Sequence, residues 1–389
     1  MSGKRPHSKP SIAPVAKNAP ILITGSEGFI GRNLRARLTA VGYENLLLFD
    51  LQTSQEVLEE YTQKAAFVFH LAGVNRPEKS EEFYEGNAGL TERLLQGLEK
   101  AGNKAPVLLS SSAQAGNGTD YAKSKEQAEK AVFEHGRGNG GLVFVYRLPG
   151  VFGKWCRPNY NSVVATFCHN IAHGLDIEIH DAEHTLTLCY IDDVVDSFIG
   201  VLEGHAEPAP LGLFFGMRPV YRVRLGDLSK NLYEFKTMRE GLETPDLSDD
   251  FLRKLYATYL SYLPREDFSI KLDPKTDERG SFTEFLRTPD HGQVSVNVTK
   301  PGITKGNHWH DTKNEVFYVV SGQALIRFRK IGEKEVFEYR VSGEDPKPVD
   351  IPPGYTHSIQ NVGQGDLVTL MWASELFDPN RPDTYYEEV

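Results

Sequence analysis

The sequence predicts a doubly wound α/β unit with a parallel sheet, followed by an all-β barrel. Two observations carry this. From residue 20 to about 200, short apolar runs alternate with amphipathic stretches, the pattern of strands alternating with helices. From 266 onward the runs are short, alternating and rich in Val, Phe, Ile and Tyr, and Gly and Pro break them. A length of 389 residues also exceeds one ordinary core and asks for two or three domains.

Taken in order, "PILITG" (20–25) reads as a buried strand ending in Gly, and "RNLRARLTAVG" (32–42) as a helix closed by Gly42. "LLLFD" (46–50) and "AAFVFHLAG" (65–73) are the second and third strands. "LTERLLQGLEKAG" (90–102) is a helix, "APVLLSSSA" (105–113) the fourth strand, "KSKEQAEKAVFEHG" (123–136) a helix and "LVFVYRLPGVFG" (142–153) the fifth strand with its loop. The stretch to 264 is mostly helical, most clearly at 194–204 and 249–263. The expected divisions are a disordered basic, Pro/Ser-rich tail at 1–19, a first domain with a small substrate-binding part at 20–264, and a second domain at 265–389.

A formal net charge of −10 argues against tracking nucleic acid, though a local basic pocket can still take a small anion. No apolar run reaches the roughly 18 residues of a membrane span. Cys156, Cys168 and Cys189 are odd in number and form no CxxC, which argues against a disulfide framework and suits a reducing cytoplasm.

Gly25, Gly28 and Gly31 form GxxGxxG between a strand and a helix. Such glycines permit a tight turn and close approach of backbone to a pyrophosphate, and the helix N-terminus supplies N–H donors. Asp50 ends the next strand, where a carboxylate can bind a ribose 2′-OH and favour NAD(H). Arg32 pulls toward NADP(H), since it could pair a 2′-phosphate. Downstream, Tyr121 and Lys125 stand four apart on one helix face, with Ser112 nine residues before the tyrosine. Reducing a ketone needs this set: a tyrosine to protonate the alkoxide, an ammonium to stabilise the phenolate, and a serine hydroxyl to polarise the carbonyl.

With "ITGSEGFIGRNL", "HLAGVNRP", Asn87, "LLSSSA", "YAKSK" and "YIDDVVDSF" in this order, residues 20 to about 264 resemble an extended short-chain dehydrogenase/reductase of the nucleotide-sugar type. The resemblance implies a Rossmann-type fold with cofactor contacts at Gly25, Gly28, Phe29, Ile30, Gly31, Arg32, Asp50, Leu71, Ala72, Gly73 and Lys125. It also implies catalysis by Ser112, Tyr121 and Lys125, with Arg76 toward the substrate. The spacing from Ser112 to Tyr121 is short for that family, and Ser112 is chosen as the last of the triplet Ser110–Ser112.

Residues 302–322 read G-x5-H-x-H-x4-E-x6-G, and Pro352, Gly354, His357 and Asn361 read P-x-G-x2-H-x3-N. Positions i and i+2 of a strand share a face, so His308 and His310 converge, with Glu315 expected from the neighbouring strand and His357 from a later one. Three histidines and a glutamate suit zinc or another divalent ion. These are the two motifs of the cupins, and the leading Gly of the second is replaced by Pro346. "DERGSFTEF" (277–285) and "KGNHWH" (305–310) resemble the sugar 3,5-epimerase branch, which implies that Arg279 and Lys305 face an anionic nucleotide sugar. In that branch the residue matching His308 is a base, so His308 reads either as ligand or as base. Tyr318, Tyr355 and Lys313 are the other acid–base candidates.

Together with "FGKWCRPNYNSV" (152–163), "TYLSYLP" (258–264) and the tail "FDPNRPDTYYEEV" (377–389), the chain from 20 to 389 resembles the bifunctional CapF-type family of capsular polysaccharide enzymes. That resemblance implies NADPH, zinc, a homodimer and a UDP-linked 4-keto-6-deoxy-N-acetylhexosamine. C3 epimerisation in the cupin is followed by C4 reduction to UDP-2-acetamido-2,6-dideoxy-L-talose, on the route to N-acetyl-L-fucosamine. The competing reading is a reductase that acts alone, with the cupin as a metal-stabilised binding or dimerisation module.

Overall fold

The computed structural model describes residues 13–77, 79–205, 214–288 and 291–389. Five parallel strands, β1 (Ile21–Thr24), β2 (Leu46–Phe49), β3 (Phe67–His70), β4 (Val107–Ser112) and β5 (Val143–Leu148), lie in the order β2-β1-β3-β4-β5. Alternate residues of β1 enter two different cores. Ile21 and Ile23 pack with Leu34 and Leu38 of α1 (Phe29–Ala40), and Leu22 packs on the other face with Leu58 of α2 (Gln55–Lys64). Burial on both faces explains why these strands read as unbroken apolar runs. Beyond β3, α3 (Glu81–Phe83), a π-helical stretch (Tyr84–Gly89) and α4 (Leu90–Lys100) run on without a break, and α5 (Asp120–Asn139) follows β4. Strand order reverses between β1 and β3, and that point on the carboxyl edge is where doubly wound sheets open a crevice.

The rest of this unit is α6 (Val163–Ala172), α7 (Ile191–Leu202) and a small sheet of β6 (Gly150–Phe152), β7 (Thr185–Tyr190) and β8 (Tyr221–Arg224). Residues 1–12 of the expected tail lie outside the described residues. The remainder, 13–19, is not a free tail as composition suggested. Val15 N donates to Leu202 O at 3.0 Å, and Lys17 pairs with Glu203 and lies over the Tyr43 ring.

The chain divides into two compact units: residues up to Lys230 with Ala257–Tyr262, and Asn231–Tyr256 with Leu263–Val389. The cut therefore does not fall simply at Pro264. α8 (Leu225–Glu240) begins in the first unit, and α9 (Asp250–Leu260) is shared. Main-chain bonds explain the grouping of 231–256: Arg287 N donates to Leu242 O, and Thr244 N to Arg287 O, which ties this segment to a strand of the second unit.

The second unit is all antiparallel apart from its helical segment. One sheet runs β16 (Pro348–Ile351), β13 (Glu315–Ser321), β18 (Leu367–Ala373), β11 (Gly292–Thr299), β10 (Gly280–Thr288), β9 (Lys275–Asp277). The other runs β15 (Val336–Ser342), β14 (Gln323–Lys330), β17 (Tyr355–Asn361), β12 (Thr304–Trp309), β19 (Tyr385–Tyr386). Phe317, Val319, Ile326, Phe328, Ile351 and Ile359 form the apolar core. In β11 the alternation is inverted: Gln293, Ser295, Asn297 and Thr299 are buried, and Val294, Val296 and Val298 are only partly so. The described residues include no helix long and apolar enough to cross a membrane.

Gly280 opens β10 with φ +132°, and a Cβ there would stand 1.9 Å from Val298 O. Gly332 also has a positive φ (+84°) but faces open space. Gly332→Ala should cost about 1–2 kcal/mol, the left-handed penalty alone. Gly280→Ala should cost more, because it must also part β10 from β11. Thermal melts of the two variants check this, with the larger fall in Tm expected for Gly280→Ala.

Candidate active sites

In the first unit the crevice is built on glycine. Gly25 has φ +68°, and a Cβ on it would lie 2.7 Å from the Ala72 backbone. A Cβ on Gly31 would lie 2.1 Å from Gly25 O, so α1 can press against the β1 loop only without one. At Gly28 an added Cβ meets only Gly25 O, at 3.1 Å, so the space before the helix stays open. α1 starts there with no side-chain cap, which leaves the first-turn N–H groups of Phe29, Ile30 and Gly31 without a capping side chain. Leu71, Ala72 and Gly73 follow β3 and close the other side of the crevice. This cradle fits a dinucleotide pyrophosphate.

Asp50 is not free as a strand-end carboxylate. Its oxygens accept Glu27 N at 2.7 Å and Leu51 N at 2.8 Å, so it braces the glycine loop. Arg32 is exposed, its guanidinium 5.9 Å from the centroid of the Trp155 ring. Arg76 is exposed beyond the β3 loop.

Thr119 caps α5 by accepting Ala122 N, which sets Tyr121 in the first turn and Lys125 one turn on. Tyr121 is largely buried beside Ser112; burial pushes its phenol up and the serine hydroxyl pulls it down, with a net rise. Lys125 is fully enclosed, and burial pushes its ammonium down to about 8 against the opposing pull of Glu129. Its Nζ lies 3.5 Å from Ser110 O. Ser111 is committed elsewhere: its hydroxyl donates to Glu129 at 2.5 Å, and Glu129 takes Arg147 bidentately at 2.7 and 2.9 Å. Of the three serines, Ser112 is the one placed on the tyrosine.

Three contributors were given no role by the sequence reading, although Asn87 and the "HLAG" motif that begins at His70 were part of the resemblance. Phe83 packs on Tyr121 at 5.7 Å between ring centroids. Asn87, in the π-helical stretch, clamps Val74 N and O and donates to Ser124 Oγ at 3.0 Å. His70 is buried between Thr24 (2.7 Å) and Thr91 (2.8 Å). Thr91 donates to Asn87 O, so it accepts from His70 Nε2–H, and His70 Nδ1 then accepts from Thr24. Burial, followed by the Lys125 charge, lowers the His70 pKa to about 3 and keeps the ring neutral.

In the second unit, His308, His310, Glu315 and His357 offer ligand atoms all within 4.8 Å of one another. His308 pairs with His357 across β12 and β17. Glu315 does not come from a neighbouring strand: β13 belongs to the facing sheet, so the cluster lies between the two sheets. The strand alternation expected of β12 is also broken. Asn307 bulges with φ +59°, so Lys305 opposite Ile359 and His308 opposite His357 share one face. His310 Nε2, Glu315 Oε2 and both ring nitrogens of His357 are buried without a hydrogen-bond partner. Each such atom costs about 1–3 kcal/mol, and a cation among them removes that cost. The donor set therefore fits a divalent metal. Burial pushes His308 down to about 4, leaving a neutral imidazole. Burial opposes ionisation of Glu315, yet the His310 and His357 rings, 3.4 and 3.5 Å away, hold its carboxyl below the ordinary carboxylate range.

Lys305 donates to Asn297 Oδ1 at 2.6 Å and Val298 O at 3.1 Å. Burial lowers its pKa against the nearby Asp277 carboxylate, which also grips Arg279 at 2.6 and 2.9 Å. Arg279 and Lys305 thus meet around one carboxylate. Lys313 is taken by Pro382 O and Thr384 Oγ1. Tyr318 lies on the face of β13 opposite Glu315, whereas Tyr355 shares the His357 face of β17.

The serine assignment gives a prediction. Ser111→Ala should destabilise the first unit by about 1.5–3 kcal/mol, the range for a hydrogen bond to a buried charge. It should leave more ketone reduction than Ser112→Ala, which should keep the wild-type Tm. Melting curves and NAD(P)H oxidation of the two variants check this.

Residues 21–211 match the NAD dependent epimerase/dehydratase family, and residues 275–385 match the polysaccharide biosynthesis C-terminal domain. A Pseudomonas aeruginosa protein named UDP-2-acetamido-2,6-beta-L-arabino-hexul-4-ose reductase is 43% identical, over 94% of this chain and 97% of its own. The crystal structure of the capsular polysaccharide assembling protein CapF from Staphylococcus aureus superposes with TM-score 0.89 at 49% identity, covering 95% of this chain and 100% of that one. A UDP-glucose 4-epimerase from Thermotoga maritima (TM-score 0.53, 20% identity, 62% of this chain and 98% of its own) shares the fold alone. The chain belongs to the CapF-type family, in which an NAD-dependent epimerase/dehydratase unit precedes a polysaccharide biosynthesis C-terminal domain.

Proposed function

We propose that the chain acts twice on a UDP-linked 4-keto-6-deoxy-N-acetylhexosamine. The second unit, a cupin barrel, inverts C3, and the first reduces the C4 ketone with NADPH to UDP-2-acetamido-2,6-dideoxy-L-talose. The observation that carries this is the coexistence of the Ser112–Tyr121–Lys125 set with the buried His308–His310–Glu315–His357 cluster. The name of the 43% identical relative, a reductase of a 4-ketose, supports the reduction. Arg32 is exposed in the first turn of α1, where it could pair a 2′-phosphate, which supports NADPH over NADH.

In the reductive step the bound nicotinamide supplies a hydride to C4. Ser112 orients and polarises the carbonyl oxygen. Tyr121 gives its phenolic proton to that oxygen, and the Lys125 ammonium stabilises the phenolate left behind. Asn87 and His70 hold the β3 loop and α4 in register with α5 through the bonds described above.

In the second unit the C3 proton is removable because the C4 carbonyl delocalises the carbanion. His308, His310, Glu315 and His357 would hold a divalent cation such as zinc, whose contribution is Lewis-acid stabilisation of charge on the carbonyl oxygen. The four-residue cluster supports His308 as a ligand. Of the remaining candidates, Lys313 is engaged and Tyr318 is turned away, which leaves Tyr355 for proton transfer. Lys305 and Arg279 supply positive charge for the diphosphate.

With the 4-keto sugar, Tyr121→Phe should lower the rate of NADPH oxidation by about 10²–10⁴-fold, the contribution of a positioned proton donor. Undiminished turnover would overturn the reductase assignment. Lys125, with its pKa near 8, sheds its proton as pH rises through that value, so kcat/KM for reduction should fall above pH 8. In Lys125→Arg, slower overall, the falling limb should move to higher pH because a guanidinium keeps its charge.

A further inference from the structure

The tail "FDPNRPDTYYEEV" lies beyond the last long strand and carries no residue of the metal cluster. Most of its contacts nonetheless fall on the segment that carries three of the four, with Arg329, Thr356 and Gln293 taking others. The Asp383 carboxylate accepts three successive main-chain N–H groups, Asp311 at 2.9 Å, Thr312 at 3.0 Å and Lys313 at 2.8 Å, and the Thr312 hydroxyl at 3.1 Å. Its own carbonyl oxygen lies 2.6 Å from His310 Nδ1. On one side, Lys313 Nζ donates to Pro382 O and Thr384 Oγ1. On the other, Tyr385 and Tyr386 pair with Trp309 and His308 as β19, and Glu387 N donates to Asn307 O. The chain turns through Asp383 with φ +42°, a conformation few residues adopt unless their surroundings hold them there.

One of these contacts fixes chemistry. A carbonyl oxygen only accepts, so His310 Nδ1 must carry a proton, and Nε2 is the nitrogen left with a free lone pair. That nitrogen is buried and unpartnered, and it stands 3.4 Å from Glu315 Oε2. His310 directly follows the bulged strand and begins the loop 310–314 that leads to Glu315, the loop whose N–H groups Asp383 gathers.

We propose that residues 382–389 are a strap that positions the metal ligands. Asp383 fixes the His310 tautomer through its carbonyl and the spacing from His310 to Glu315 through its carboxylate. Asp383 is a positioning residue and does not touch the cation. The inference rests on the reading of the cluster as a divalent-metal site, and its test separates the two.

The test is Co²⁺ and Zn²⁺ binding to metal-free full-length protein, with the visible d–d spectrum of the Co²⁺ form as a readout of ligand geometry. Wild type should bind one ion per chain. Asp383→Ala should weaken binding by about 10–100-fold, as loss of a ligand's supporting hydrogen bonds does, and should alter the d–d bands. Asp383→Asn, which keeps an acceptor oxygen, should recover part of the affinity and the wild-type spectrum. Arg329→Ala, which releases Glu387 and Glu388 at the far end of the strap, should change neither. Wild-type affinity and spectrum in Asp383→Ala and in a chain ended at Arg381 would overturn the strap with the metal reading intact. Failure of wild type to bind either ion would overturn both.

Discussion

Each unit encloses a side chain that water would otherwise stabilise, and the surrounding elements are arranged to replace that water. In the first unit this is the Lys125 ammonium, fully enclosed, with Ser110 O at 3.5 Å and Glu129 one helical turn away. Glu129 cannot collapse onto it, because Arg147 and Ser111 hold the carboxylate from the other side. Burial thus lowers the ammonium to about 8 without quenching it. In the second unit the groups are three imidazoles and a carboxylate whose ligand atoms lie within 4.8 Å of one another, most of them buried without a partner. An apolar core of the same shape would avoid the cost of burying them, and a bound cation would offset it.

The same constraint explains what was legible in the sequence. Strands buried on both faces announce themselves as apolar runs, and all five strands of the parallel sheet could be read that way. The catalytic tyrosine and lysine could be read because helix periodicity alone puts them on one face, and the glycine loop because two of its positions admit no Cβ. The four residues of the metal cluster could be read from their spacing. What spacing could not supply was the route by which they meet. The Asn307 bulge shifts β12 by one residue, and Glu315 arrives from the facing sheet. Neither leaves a hydropathy signal.

β11 shows the limit most plainly. "VSVNVT" alternates as a strand should, and hydropathy alone would turn its valines inward. The polar set is the buried one, because Asn297 must meet Lys305 in an interior that is polar at this end and apolar at the other. Asp50 shows the limit for a motif: its position fits a ribose contact, and nothing in the motif signals that its carboxylate also braces the loop. The tail is a third case. Composition marks it as a polar end, and only the fold reveals that its hydrogen bonds converge on His310 and the loop after it.

A C4 ketone links the two chemistries. In the proposed function it would acidify C3 for the second unit and be consumed by the first, so that reduction would draw the epimerisation forward. The most direct measurement is the ¹H NMR spectrum of the 4-keto sugar incubated in D₂O with Tyr121→Phe protein and no nicotinamide cofactor. The account predicts that the C3 proton signal is lost by exchange while the ketone persists. A C3 signal that survives under these conditions would contradict it.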